Sequence, residues 1–227
     1  MEVKLPNELF SVERILGFCE KVFYFFIVNT LFWLSNIPVI CFFMFVGIKQ
    51  ISTYLPLFMI SLLPVPPALS AVLYCMGRQL RGTEVRALKD YKKGYRMDFF
   101  LKLKLGAVQL FAILVLWTNS KFLSEAYGLG LISMLFFVAF LFTIILTPNL
   151  YLLASRYEMK LLDIIRVAVI ITVTHPVCTL GYIAAFCFVL MLLELSAGTT
   201  VLFMVSGYGF LIVFMSQSIL KSLEKSQ

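Results

Sequence analysis

PVPPALSAVLYCMGRQLRGTEVRALKDYKKGYRMDFFLKLK, residues 64–104, decides how the chain is laid out. It opens on a proline-broken apolar segment, passes through a strongly basic loop and returns to apolar sequence. The loop, 78–104, carries Arg78, Arg81, Arg86, Lys89, Lys92, Lys93, Arg96, Lys102 and Lys104 against Glu84, Asp90 and Asp98. Lys and Arg gathered between apolar runs mark the cytoplasmic side of a membrane, because such segments stay behind when a chain is inserted. The loop therefore sets the side on which everything else lies.

Composition agrees. The 227 residues are 61% hydrophobic and 14% charged, with a mean hydropathy of +0.97. Soluble domains carry roughly 25% charged residues, so a soluble globular class is excluded and a single transmembrane domain, 1–227, is expected. The net charge of +7 would point to nucleic acid in a soluble protein. Here the charge is confined to short segments between apolar runs, so membrane lipid is the expected anionic partner and nucleic acid is not.

Six apolar runs follow, at about 22–47, 51–76, 103–119, 129–154, 167–193 and 199–219. Roughly 20 apolar residues cross a ~30 Å hydrocarbon core. The first run is uncharged, too long for a signal-peptide core and followed by no small-residue cleavage pattern, so it is expected to be retained. An even number of crossings puts both termini on one side. Lys4, Arg14, Lys21, Arg156, Lys160, Arg166, Lys221 and Lys225 then join the basic loop, which leaves only Lys49 and Lys121 opposite. The expectation is an all-α, polytopic transmembrane helical bundle of six spans with both termini cytoplasmic.

Two segments have the pattern of surface helices. Before the first span, in residues 7–21, Leu9, Val12, Leu16 and Cys19 recur at helical spacing that runs on to Phe23; this is a surface helix or an extension of the span into water. In the basic loop, Val85, Leu88, Tyr91, Tyr95 and Phe99 share one face, with Gly94 weakening the middle. Each cation near an anionic leaflet contributes ~1 kcal/mol. Arg86, Lys89, Lys92, Lys93 and Arg96 are the candidate partner- or lipid-binding residues.

A second candidate set concerns a pathway. Pro56, Pro64, Pro66 and Pro67 interrupt the second run, and proline frees backbone carbonyls that protein or a water-filled cavity must satisfy. The readings are a discontinuous helix lining a route and a kinked packing helix. Asn149, beside Thr147 and Pro148, makes a helix-to-helix hydrogen bond or lines a cavity. His175, before Pro176, donates to a freed carbonyl or acts as a pH-sensitive gate. The pathway candidates are Pro64, Pro66, Pro67, Asn149 and His175. Gly181 with Ala185, and Ser206, Gly207 and Gly209, are small enough for close helix approach. Trp117 is placed as an interface anchor.

Catalytic chemistry is not legible. No carboxylate falls well inside a run, and there is no nucleotide-binding glycine loop, H-E-x-x-H or serine elbow. A non-enzymatic protein with no cofactor, catalytic or metal site is expected. The five cysteines are odd in number and lack C-x-x-C, and read as small buried hydrophobes.

Four places together resemble the YesL family, bacterial integral membrane proteins without an assigned function. They are Asn29-Thr-Leu-Phe-Trp33-Leu in the first run, Pro67-Ala-Leu-Ser-Ala71 leading to Arg78 and Arg81-Gly82, the loop through Tyr91, Tyr95, Phe99 and Phe100, and His175-Pro176 followed by Thr179-Leu180. The chain departs from the family's pattern in a longer stretch between Asn29 and Pro67 and in Pro66, where a glycine is typical. Members are often encoded beside carbohydrate uptake systems and glycan-degrading enzymes in Gram-positive bacteria. The resemblance implies a role at the bacterial plasma membrane, accessory to a carbohydrate transport system. The other reading is a transporter or channel in its own right.

Overall fold

The computed structural model describes residues 12–82, 86–127 and 130–224. Lys4, Glu8, Leu9, Glu84, Val85 and Lys225, and with them both chain ends, lie outside the described residues. Every regular element described is helical. The α-helices are α1 (Val12–Ser35), α2 (Ile37–Phe45), α3 (Leu55–Ser61), α4 (Val65–Leu80), α5 (Ala87–Arg96), α6 (Phe99–Tyr127), α7 (Gly130–Arg156), α8 (Leu161–Thr174), α9 (Pro176–Leu195), α10 (Ala197–Val201) and α11 (Met204–Glu224). The chain is an all-α helical bundle.

Proline placement explains most of the boundaries. Pro38 and Pro56 fall in the first turns of α2 and α3, Pro64 caps α4, Pro66 and Pro67 lie in its first turn, and Pro176 opens α9. A first-turn residue has no helical partner for its N–H, so proline costs nothing there and presets φ. The second apolar run is thus two helices, α3 and α4, joined by a turn at 62–64. Among the described prolines only Pro148 sits inside a helix.

The first run also breaks. Residues 12–21 extend the first span without interruption, and the helix stops at Asn36, whose side-chain amide donates to the Phe32 carbonyl at 2.8 Å. The run expected at 167–193 is interrupted at His175, because Pro176 offers no N–H and holds the preceding residue out of the helical region, at φ −121° and ψ 64°.

Five helical segments among the described residues are long and apolar enough to cross a bilayer: Ile15–Ser35, Leu55–Leu80, Phe99–Leu123, Gly130–Arg156 and Pro176–Leu195. Met204–Gln217 is apolar but shorter. The chain is a multi-pass integral membrane protein.

α4 is the axis of the bundle. Ala68, Ala71, Val72, Leu73, Cys75 and Met76 are fully buried, and α1, α5, α6, α7 and α11 pack around them. Small side chains permit this crowding. A Cβ on Gly106 of α6 would lie 2.1 Å from Cγ of Pro66, so only glycine lets the two helices meet there. Gly181 of α9 packs close to α11, where a Cβ would lie 2.8 Å from the sulfur of the flexible Met215 side chain. α1 contributes the stripe Tyr24, Val28 and Phe32, at a spacing of four. Of the cysteines, only Cys75 is buried by protein; Cys19 and Cys187 lie on the outer surface, where spans offer their apolar side chains to lipid.

Asn29 ties α1 to α10 and α11. It is 1% exposed; its amide donates to the Val201 carbonyl at 2.8 Å, and its oxygen accepts the Val205 N–H at 3.1 Å. The ends of α6 and α7 are joined by Ser120 and Ser133, with the Ser133 hydroxyl donating to the Ser120 carbonyl at 2.7 Å. At this end Lys121 lies 5.1 Å over the Trp117 ring, an arrangement suited to an interface.

Between α5 and α6, Asp98 has φ +49°, in the left-handed region. Aspartate tolerates this better than branched residues do. Asp98→Val is expected to be about 1–2 kcal/mol less stable than Asp98→Gly, since both remove the carboxylate that acts on the buried Lys102 ammonium and only valine strains the backbone. Thermal unfolding of the two variants in detergent measures the difference.

Candidate functional site

Cations gather at one end of the bundle. Lys21 of α1 lines a surface groove with Gln79, Leu80 and Gly82 at the end of α4, and the Arg156 guanidinium at the end of α7 lies against Gly77. The centre of this end is α5, which runs antiparallel to α4, with Asp90 beside Arg78 and Gly94 beside Tyr74.

α5 has two complementary stripes. Ala87, Asp90, Tyr91, Gly94 and Tyr95 face inward, at spacings of three and four residues. Asp90 is 1% exposed, forms an ion pair with Arg78, and accepts the Arg86 N–H at 2.9 Å, which closes the first turn of the helix. The Tyr91 hydroxyl donates to Ser35 Oγ of α1 at 3.0 Å. Burial pushes the Tyr91 and Tyr95 phenols above their ordinary range, so both keep their protons. Tyr91, Tyr95 and Phe99 form a run of ring contacts at 6.1 and 5.5 Å. At the other end, Lys102 of α6 is fully buried, and its ammonium donates to the Gly94 carbonyl at 2.8 Å, capping the last turn of α5.

The outward stripe is cationic. Arg86, Lys89, Lys92, Lys93 and Arg96 are all exposed. The inward face differs from the one periodicity predicts. Leu88 is 67% exposed and takes its place among the cations, while Asp90 and Gly94 are buried. Asp90 goes inward because Arg78 awaits it, and Gly94 packs closely on Tyr74, whose Cβ would be 3.0 Å from a Cβ at this position, so a larger residue would need Tyr74 to give way.

The pathway candidates occupy separate environments. Pro64 is half-buried, and Pro66 and Pro67 are buried, with Pro66 seated on Gly106. Asn149 is 1% exposed and donates to Thr172 Oγ1 at 2.9 Å, joining α7 to α8. His175 lies on the outer surface; its backbone caps α9, and its side chain makes no hydrogen bond among the described residues. None of the five lines a cavity described in the structure.

Periodicity missed three buried polar features: the Arg78–Asp90 pair, Lys102, and a relay in which Gln109 donates to Thr147 at 2.7 Å and accepts from Tyr151 at 2.5 Å. Gln109, a lone amide within an apolar run, was the available signal. No family model matches the chain, and neither a curated protein nor a solved structure is significantly similar to it.

Proposed function

We propose that this protein is a non-enzymatic accessory to carbohydrate uptake across the bacterial plasma membrane, docking on a transport system or on anionic lipid through the outward face of α5. The observation that carries the docking reading is the pairing of Arg86, Lys89, Lys92, Lys93 and Arg96 on the exposed side of a helix whose other side is pinned by Asp90, Tyr91 and Gly94. Cations on a held helix lose less freedom on binding than cations on a loose loop. The carbohydrate connection rests on the resemblance to the YesL family. The skewed distribution of the 19 Lys and Arg supports a cytoplasmic position for α5.

Transport by the chain alone would need a polar route. The burial of Pro66 on Gly106, the tie of Asn149 to Thr172 and the outward position of His175 favour the accessory reading. The test is purification from native membranes of the wild type and of Lys92→Gln/Lys93→Gln/Arg96→Gln. The expected result is an ATP-binding cassette sugar transporter or anionic lipid retained by the wild type and lost from the variant, with unchanged thermal unfolding. Equal retention by both proteins would refute the docking role of α5. Sugar uptake into liposomes by the purified protein alone would establish the transporter reading instead.

A further inference from the structure

α8 and α9 part at His175–Pro176. α8 stays on α7 through Asn149 and Thr172, while α9 packs on α11 through Gly181 with Met215 and Phe186 with Tyr208. This leaves a groove between α7 and α9 of about 430 Å³. Its floor is buried and includes Pro148, Tyr182 and Ile212; its mouth is formed by Leu141, Ile144, Ile183 and Phe186, which are exposed on the outer surface of the bundle. The volume lies within the range of single-ligand sites.

The lining is mostly apolar. Thr147 accepts from Gln109 and donates to the Thr143 carbonyl, and the Thr179 hydroxyl donates to the Thr172 and His175 carbonyls. Both threonines therefore offer the groove no hydroxyl in need of a partner. The Tyr182 hydroxyl, on the floor near Ser216 of α11, is buried and makes no hydrogen bond among the described residues. On α7 the groove extends from Pro148 to Leu141, which at 1.5 Å per residue is ~12 to ~22 Å from the Arg156 end. That is the depth of hydrocarbon and not of headgroups. The medium outside the mouth is lipid, and apart from the Tyr182 and Tyr208 hydroxyls the lining is aliphatic, aromatic or already hydrogen-bonded.

We propose that this groove is a binding site for one acyl chain of a membrane phospholipid, which enters sideways between α7 and α9. The inference is independent of the docking role of α5. The test uses proteoliposomes containing phosphatidylglycerol with a photoactivatable diazirine in mid-chain, followed by peptide mapping. Labelling of 141–148 and 179–186 is expected to saturate as the probe fraction rises, while labelling of the outer face of α6 at Phe111 and Val115 rises in proportion. Ile183→Trp fills the mouth and is expected to abolish the saturable component without changing the α6 labelling. Labelling of the groove that rises in proportion to the probe, like that of α6, would overturn the site. So would saturable labelling that survives in a folded Ile183→Trp protein. If that variant does not fold, the wild-type saturation curve alone decides.

Discussion

Gly106→Ala is expected to lower the stability of the bundle by about 2 kcal/mol or more, despite replacing glycine by the best helix former. Helix propensity alone would favour the change by about 1 kcal/mol. The opposing effect is steric: the new methyl would lie 2.1 Å from Cγ and 2.7 Å from Cβ of Pro66. A flexible side chain could swing away, but a proline ring in the first turn of α4 can move only with its helix. Overpacking a close-packed interior costs roughly 1–3 kcal/mol, and α4 transmits the displacement to five neighbouring helices. Reversible unfolding in mixed micelles gives the magnitude. Pro66→Ala removes Cγ, the nearer atom, and should recover part of the loss in the double variant, as expected for directly coupled sites. A Gly106→Ala protein as stable as wild type would mean that α4 and α6 are not in contact at this point.

Asp90→Ala is expected to cost about 3 kcal/mol, the low end of the range for breaking a buried ion pair. The low end applies because the Arg78 side chain is 28% exposed and has further interactions, whereas Asp90 is buried. The substitution also deprives the Arg86 N–H of its acceptor. Asp90→Asn keeps an acceptor for that N–H and should lose less. Limited proteolysis is a second readout: cleavage within 86–98 should accelerate in Asp90→Ala well before global unfolding, because α5 loses its anchor to α4. Unchanged stability and cleavage in Asp90→Ala would show that α5 is held by its aromatic contacts alone.

The helical class and the positions of most apolar segments were legible because hydropathy is a property of local sequence, and a bilayer demands it over a known length. The five candidate docking cations were legible as a group for the same reason. The inward face of α5 was not. A pattern rule places Leu88 inside and Asp90 outside, but the partner that reverses this, Arg78, is on another helix. The prolines of the second run read as interruptions of one span. They are the openings of two helices, a distinction that depends on where each N–H would have pointed. Chemistry alone groups His175 with Pro64, Pro66, Pro67 and Asn149, whereas packing separates them: α9 turns onto α11 and leaves His175 outside. The groove between α7 and α9 arises from that same divergence, and no stretch of sequence contains it.

The amide of Asn29 has a consequence for how the protein is made. Its two partners, the carbonyl of Val201 and the N–H of Val205, are synthesised 172 and 176 residues later. Until then α1 holds an unmatched polar group in oil, a condition that hydrocarbon penalises. Assembly therefore closes as a ring, in which α1 reaches its final seat only when α10 and α11 arrive.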